Sequence, residues 1–595
     1  MPGTTVLVAN RGEIAVRVIR ACHELGLRAA AVYSDADADA LHVRLADESH
    51  RIGPAPARAS YLDRDAVLRA ASASGADLVH PGYGLLSEDA EFARAVTAAG
   101  LAFVGPPAEV IAGMGDKVAA RAVAEKCGIP VPPGTGALTP EQALGEAARI
   151  GFPLVVKASF GGGGRGLRVV TSASGLAGAM AAAGREAGAA FGRSDVHLER
   201  YLQPARHVEV QVFGDAYGAV VHLADRDCSV QRRHQKLIEE APAFGLSASL
   251  RAAVREAAVA LAREVGYVGA GTVEFLVVPG TDEFFFLEMN TRLQVEHGVT
   301  ELVTGVDLVA AQLRVARGEP LPFTQDEIVV RGHAIQARIA AEDPWADFRP
   351  APGTLTALSV PLGPGIRNDF GVEAGDSVPA AYDSLFGKVL ALGADREAAR
   401  RRLGVALDAL RVDGVPTTAP YLRSILDSES FTAGTHDTSS VAREWAPSAL
   451  GLQVAAPPSG VAPPSGVAPP SGPATPSGPA PSGGVAARRV RIATDRGPVE
   501  IAIYGSAPRA SRTTATAAGT AGSAVGGPPT APMDATVVAI HVEPGQQVAA
   551  GDVVAVLEAM KMEMPIRTEA AGTVAEILVA PGTAVPAGTA LLALS

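Results

Sequence analysis

Six lysines stand against 45 arginines in this sequence: Lys117, Lys126, Lys157, Lys236, Lys388 and Lys561. A chain that uses arginine wherever a generic positive charge will do keeps lysine for tasks arginine does badly, as a compact point charge or a nucleophilic amine. Chance retention accounts for any single lysine as well. Lys561 has the most particular surroundings, Glu558-Ala-Met-Lys-Met-Glu-Met564. Two methionines flanking one amine on a soluble surface are unusual unless something reads them. A lysine on a tip, on a small domain, on a long tether, is what a covalently carried cofactor needs. A charged turn residue is the plainer alternative.

Ser159-Phe-Gly-Gly-Gly-Gly-Arg-Gly166 lies between two strand-like runs, Pro153–Ala158 and Leu167–Thr171. Consecutive glycines let backbone N–H groups close around phosphate oxygens. The spacing matches G-x-G-x-x-G, but a strand pattern follows where a dinucleotide-binding fold needs a helix. It is no Walker A loop either, because Leu167-Arg168 stands where Lys-Ser/Thr is required. Alone, the loop serves a flexible hairpin as well as a phosphate. Lys157 on the preceding strand, and Lys117 in Met114-Gly-Asp-Lys-Val118, strengthen the phosphate reading.

Thr272–Leu276 and Phe284–Asn290 read as two strands joined by a turn that includes Pro279-Gly280. Period-2 alternation puts Glu288 and Asn290 on one face, and Glu274 can stand beside them from the neighbouring strand. Acidic and amide oxygens on apolar strands are costly unless they bind something, and Mg²⁺ takes such oxygens together with nucleotide phosphates. Edge residues facing water are the alternative. Thr291-Arg-Leu-Gln-Val-Glu-His297 follows directly. There Arg292 can hold a small anion while Glu296 takes a proton; a surface ion pair would look the same.

These groups need a scaffold. At 595 residues, about four compact units are expected. Residues 1–110 alternate strands (Thr5–Ala9, Arg28–Tyr33, Leu78–His80) with helices (Glu13–Leu25, Ala66–Ser74), which predicts a parallel α/β sheet. Residues 111–330 hold more α/β with hairpins, and 331–447 mix strands with one clear helix, Arg396–Leu410. From Ala456 to Gly484 the sequence is uncharged and repeats Pro-Pro-Ser-Gly, the composition of an extended linker. Two short strands, Val490–Ala493 and Val499–Tyr504, precede a second linker, Gly505–Thr530. The last segment repeats itself: Val542–Gly551 matches Val579–Gly588. Each half reads strand, Pro-Gly turn, strand, and two such halves predict a small quasi-symmetric sandwich with Lys561 at the tip of the connecting hairpin.

Composition excludes several classes. Hydrophobic residues at 48% and charged residues at 19% exclude global disorder. A net charge of −12 argues against a broad nucleic-acid surface. No run of 18 uncharged apolar residues offers a membrane span, and the N-terminus reads as a first strand, not a signal peptide. Cys22, Cys127 and Cys228 are odd in number and far apart; a disulfide framework or zinc site is not expected, and a reducing cytoplasm is.

Ala559-Met-Lys-Met562 resembles the signature of biotin carboxyl carrier domains, whose lysine is biotinylated. Lipoyl domains place Asp-Lys-Ala there, and this chain does not. The opening Pro532-Met533-Asp534-Ala535 departs from the usual Pro-Met-Pro-Gly or Pro-Met-Ala-Gly. Residues 1–447 resemble the biotin carboxylase branch of the ATP-grasp fold, through the motifs above and through Ala9-Asn-Arg-Gly-Glu-Ile-Ala15, His80-Pro-Gly-Tyr-Gly-Leu-Leu-Ser87 and Arg226-Asp-Cys-Ser-Val-Gln-Arg-Arg-His-Gln-Lys236. Leu85 stands where Phe is usual, Gly298 where Pro follows the histidine, and Arg200 where a lysine follows Glu199.

The resemblance implies an α/β ATP-grasp biotin carboxylase followed by flexible linkers and a small all-β biotinyl (lipoyl-like) domain. The implied boundaries are 1–115, 116–330 (ATP-grasp), 331–447, linker 448–487, β segment 488–504, linker 505–530 and carrier 531–595. It implies that Lys117, Lys157 and Gly162, Gly163 and Gly164 hold ATP phosphates, and that Glu199, Leu202, His207, Gln231 and His234 line the nucleoside pocket. Glu274, Glu288 and Asn290 would bind Mg²⁺ (or Mn²⁺). Lys236, Arg292, Gln294 and Val295 would hold bicarbonate, with Glu296 as its general base. Arg338 would stabilise the biotin enolate and Tyr83 would lie near the biotin ring. Bicarbonate would attack the ATP γ-phosphorus, and carboxybiotin on Lys561 would travel to a carboxyltransferase. No transferase domain fits after Pro447, so a separate β subunit is implied, acting on acetyl- or propionyl-CoA. Arg488–Tyr504 would be a remnant at best of the larger subunit-binding domain of propionyl-type relatives. Other implied partners are a biotin protein ligase and further copies of this chain, joined through the carboxylase domain within a larger hetero-oligomer. Pyruvate, methylcrotonyl-CoA and long-chain acyl-CoA carboxylases are the alternatives. A lipoyl module of a dehydrogenase complex and a generic ATP-grasp amide ligase fit less well. Lys388, in Phe386-Gly-Lys-Val389, has no implied role.

Overall fold

A computed structural model describes residues 3–138, 140–159, 167–191, 194–447, 487–494, 497–504, 528–533, 535–559 and 562–595. The glycine loop at 162–164, Lys561 and the linker readings over 448–486 and 505–527 lie outside these residues. One unit comprises Met1–Leu452 with Pro528–Ser595 and a second Gln453–Gly527.

The chain opens with strands β1 (Thr5–Val8), β2 (Arg28–Ser34), β3 (Glu48–Gly53), β4 (Leu78–His80) and β5 (Ala102–Phe103). They pair in the order β3-β2-β1-β4-β5, all parallel. Helix α1 (Gly12–Glu24) buries Ile14, Ala15, Val18, Ile19 and Cys22 against this sheet, the one-face spacing of an amphipathic helix.

A small antiparallel sheet follows, with β6 (Leu154–Ala158) between β7 (Arg168–Val170) and β8 (Val196–Arg200). Next come β9 (Arg206–Gly214), β10 (Val220–Arg232), β11 (Gln235–Ala241), β12 (Gly269–Val277), β13 (Phe284–Asn290), β14 (His333–Ala340), β15 (Ile366–Phe370) and β16 (Leu385–Gly393). They form one sheet ordered β13-β12-β9-β10-β11-β14-β16-β15, which runs across residue 330 without a break. Along β9, Val208, Val210 and Val212 point into a core while Glu209 and Gln211 point to the opposite face, as period 2 requires. Helix α2 (Arg396–Ala409) matches the sequence reading; a further helix, Ala419–Leu426, starts with proline in its first turn, where the missing N–H is harmless.

In the second unit β17 (Ala487–Thr494) and β18 (Gly497–Tyr504) pair from Ala487↔Tyr504 to Thr494↔Gly497. The ladder is longer than the sequence reading because the partner strand continues past the apolar stretch.

The C-terminal domain holds β19 (Ala535–Ile540), β20 (Gln547–Val548), β21 (Val553–Ala559), β22 (Met562–Arg567), β23 (Gly572–Ile577), β24 (Ala584–Val585) and β25 (Leu592–Leu594). They make two sheets, β22-β21-β19-β24 and β20-β23-β25. The repeat is reciprocal: β19 of the first half pairs with β24 of the second, and β23 of the second with β20 of the first. Gly545 and Gly582 occupy the matching turn positions with φ of 87° and 86°, where a side chain would be strained. The β21–β22 pairing reaches Ala559↔Met562.

Candidate active site

One cleft is lined by Tyr83, Lys117, Lys157, Glu199, Leu202, His207, Gln231, His234, Lys236, Glu274, Glu288, Asn290, Arg292, Gln294, Val295, Glu296 and Arg338. Every predicted site residue of the carboxylase region that the structure describes is therefore on it.

Two sheets supply the nucleotide end. On the small sheet Lys157 is salt-bridged to Glu199, which holds the Glu199 carboxyl well below its usual range against the opposing effect of burial. On the large sheet Lys117 donates to Glu288 at 2.6 Å. His234 sits with Arg233 in the two-residue hairpin between β10 and β11, at φ of 66° and 48°. Such a turn demands φ > 0 at both central positions and favours Asn-Gly. Neither residue is of that type, so local backbone strain is held at the cleft.

Strand register builds a cation site. Glu274 lies directly opposite Glu288, and Thr272 opposite Asn290. Like charges in direct opposition are destabilising unless a cation lies between them. Two carboxylates and an amide oxygen beside phosphate-binding lysines fit Mg²⁺, a hard ion that takes oxygen ligands. His207 Nε2 lies 3.1 Å from Glu274 Oε2 but off the line of a hydrogen bond. Burial alone would depress the His207 pKa; beside Glu274 it is raised.

Lys236 is the hub. Its Nζ donates to Glu209 Oε2 at 2.6 Å, Glu274 Oε1 at 2.9 Å and Glu296 Oε1 at 2.6 Å, which uses all three donors of an ammonium. Burial opposes its charge, but the three carboxylates raise its pKa well above the ordinary value. Glu296 is fully buried, and its other oxygen takes Arg338 Nη2 at 3.0 Å. Lys236, Arg338 and Arg226 outweigh burial and depress the Glu296 pKa. Arg292 spans Glu88 (2.9 Å), Gln294 (2.8 Å) and Asn290 (2.9 Å).

Sequence reasoning missed the buried layer beneath. Arg226 donates to Glu209 at 2.6 Å and Gln211 at 2.7 Å. Glu239 takes Gln336 at 3.0 Å and Arg338. Glu13 accepts from the Tyr83 hydroxyl. The alternation His207-Val-Glu-Val-Gln211 carries the signal for Glu209, an acid on a strand buried on both faces.

The chain matches the families described as biotin carboxylase N-terminal domain over 2–111 and C-terminal domain over 336–443. It also matches the carbamoyl-phosphate synthase L chain ATP-binding domain over 116–324 and the biotin-requiring enzyme family over 529–594. Biotin carboxylase of Pseudomonas aeruginosa is 50% identical over 432 residues, which are 72% of this chain and 96% of that one. The chain belongs to the biotin carboxylase family. The carboxylase is also 48% identical over 436 residues to the α subunit of mitochondrial methylcrotonoyl-CoA carboxylase of Arabidopsis thaliana, covering 73% of this chain and 59% of that one. The biotin carboxylase domain dimer of Hydrogenobacter thermophilus 2-oxoglutarate carboxylase, solved with MgADP, ADP and bicarbonate, superposes with a TM-score of 0.73 at 42% identity, over 76% of this chain and 99% of that one. The carboxylase is thus an ATP-dependent ligase that carboxylates biotin, with ATP, Mg²⁺ and covalent biotin as its cofactors. Among the described residues no helix is long and apolar enough to cross a membrane.

Proposed function

We propose that this chain is the α subunit of an acyl-CoA carboxylase, charging biotin on its own Lys561 for a separate carboxyltransferase β subunit that acts on acetyl- or propionyl-CoA. The observation that carries the chemistry is the Lys236 hub, which joins the cation-site carboxylate Glu274 to the proton-accepting carboxylate Glu296. The observation that carries the division of labour is that only residues 448–528 separate the carboxylase and carrier families, room for linker and the β17–β18 hairpin. The α subunit of methylcrotonoyl-CoA carboxylase among the relatives supports a CoA-ester acceptor.

In this reading Lys117, Lys157 and Gly162–Gly164 hold the ATP phosphates, while Glu199, Leu202, His207, Gln231 and His234 line the nucleoside pocket. Mg²⁺, held by Glu274, Glu288 and Asn290, neutralises phosphate charge. Arg292, Lys236, Gln294 and the Val295 N–H orient bicarbonate. Glu296 takes its proton, and its basicity rises as the anion draws Lys236 and Arg338 away. Biotin supplies the nitrogen that accepts the carboxyl group, Arg338 opposes negative charge developing on it, and Tyr83 bounds its ring. The boundaries at 115, 330 and 447 separate these tasks. The setting is the cytoplasm; the partners are the β subunit, a biotin protein ligase and further copies of the chain.

The native complex, purified on streptavidin-blocking resin and assayed with acetyl-, propionyl- and long-chain acyl-CoA, methylcrotonyl-CoA and pyruvate, tests the proposal. Carboxylation of acetyl- or propionyl-CoA supports it. Activity confined to another acceptor, or a biotin blot that persists in Lys561→Arg, refutes it.

A further inference from the structure

Lys388 has no part in the scheme above, yet its side chain is the most completely buried of the described lysines, at 0% exposure. It lies on β16 directly between Arg338 of β14 and Asp369 of β15 in the strand register. Cross-strand neighbours project from one face, and the segment Arg292–His297 passes over that face. Arg338 reaches the Glu296 carboxylate. Lys388 Nζ donates to the Val295 carbonyl at 2.9 Å and pairs with Glu13 Oε1 at 3.0 Å, with Asp369 Oδ2 at 3.9 Å.

The preceding peptide is held from the same side. His297 Nδ1 lies 2.7 Å from the Gln294 carbonyl. Burial and the nearby Lys388 and Arg367 charges keep this imidazole neutral. A carbonyl only accepts, so Nδ1 bears the proton. In a trans peptide the N–H points opposite to the C=O. Fixing the Gln294 and Val295 carbonyls therefore fixes the Val295 and Glu296 N–H groups on the opposite edge. Glu13 Oε1 also accepts from Tyr83, so one ion pair touches both the anion loop and the residue assigned to biotin.

We infer that Lys388 is a positioning residue: with Glu13 it sets the peptide planes of the bicarbonate loop and the place of Tyr83, building both sides of the reaction on one buried pair. The inference rests on the anion-site reading of Arg292–Glu296. It also accounts for a lysine in an arginine-rich chain. One Nζ must meet an oxygen from each of three segments, which a compact ammonium does and a planar guanidinium does not.

The test is steady-state ATP hydrolysis by the full-length biotinylated chain with added biotin, together with equilibrium titration of MgATP. Lys388→Met is expected to raise KM for bicarbonate by about tenfold or more, the loss of a charged hydrogen bond, with MgATP affinity within about twofold. Lys388→Arg keeps the charge without the geometry and is expected to show the same split, smaller in size; it serves alone if the Met variant does not fold. Arg292→Ala is the reference for the anion site. If Arg292→Ala raises KM for bicarbonate and neither Lys388 variant does, or if ATP and bicarbonate affinities fall together, the positioning role is overturned. If Arg292→Ala leaves KM for bicarbonate unchanged, the anion-site reading falls, and this inference with it.

Discussion

Glu296 is a base surrounded by more positive charge than it needs. Lys236 and Arg338 both bind it, and its depressed pKa keeps it ionised at any working pH. Glu296→Gln keeps the shape and removes the proton acceptor. Bicarbonate-dependent turnover is expected to fall by about 10²–10⁴-fold, with MgATP binding retained in a direct titration; an unchanged rate would leave Glu296 only an anchoring role. Glu342, also on the cleft wall, behaves oppositely. Burial pushes its pKa from 4.5 up to about 7, although Ser384 donates to it and opposes the rise. The folded chain thus holds a proton that the unfolded chain has already released. Stability falls as pH rises from about 4.5 to about 7 and is flat beyond, a loss of about 3 kcal/mol. Glu342→Gln is expected to escape that loss, so the variant gains on wild type in denaturant unfolding at pH 8 but not at pH 4. Equal gains at both pH values would put the effect down to packing.

At the scale of elements, the cleft depends on register. A one-residue slip of β13 against β12 would turn Glu288 to the opposite face and dissolve the pairing with Glu274. Glu288→Gln leaves the ladder in place but halves the opposed charge. MgATP affinity is expected to weaken by about tenfold or more while nucleotide binding without metal changes little; equal weakening of both would place Glu288 on the nucleotide and not on the cation. This hairpin was legible from sequence because oxygen-bearing residues interrupt a strongly apolar run. The parallel N-terminal sheet was legible from alternating strand and helix patterns, and the two-fold carrier from its internal repeat. The central strands were less so. In β10, Asp225, Arg226 and Asp227 are buried within a run whose polarity reads as solvent-facing. Only the partners from β9 and beyond make their burial affordable. Glu13 and Lys388 meet across 375 positions of sequence, and no local pattern announces such a contact.

For the whole molecule, the carboxylase and carrier are joined by a segment long enough to separate them. About 33 residues from Val454 to Ala486 have a contour of at most about 100 Å, and a tether of this kind sustains roughly mM effective concentrations. A chain ending near Pro447 keeps every cleft residue. It is expected to retain ATP hydrolysis stimulated by free biotin, with half-saturation at or above the roughly mM tethered level, and to lose acyl-CoA carboxylation. Absence of stimulation well above that level would show that residues 1–447 do not suffice. The burial of the lysines has a practical side. Lys117, Lys157, Lys236 and Lys388 are between 0% and 22% exposed, against 71% for Lys126. Biotinylation blocks the amine of Lys561. Amine-reactive cross-linkers and labels added to the loaded enzyme therefore find one open lysine among the described residues, Lys126 on the carboxylase. A cross-linking map of the assembled complex that relies on amines would be nearly blank, and carboxylate-directed reagents are the ones with targets.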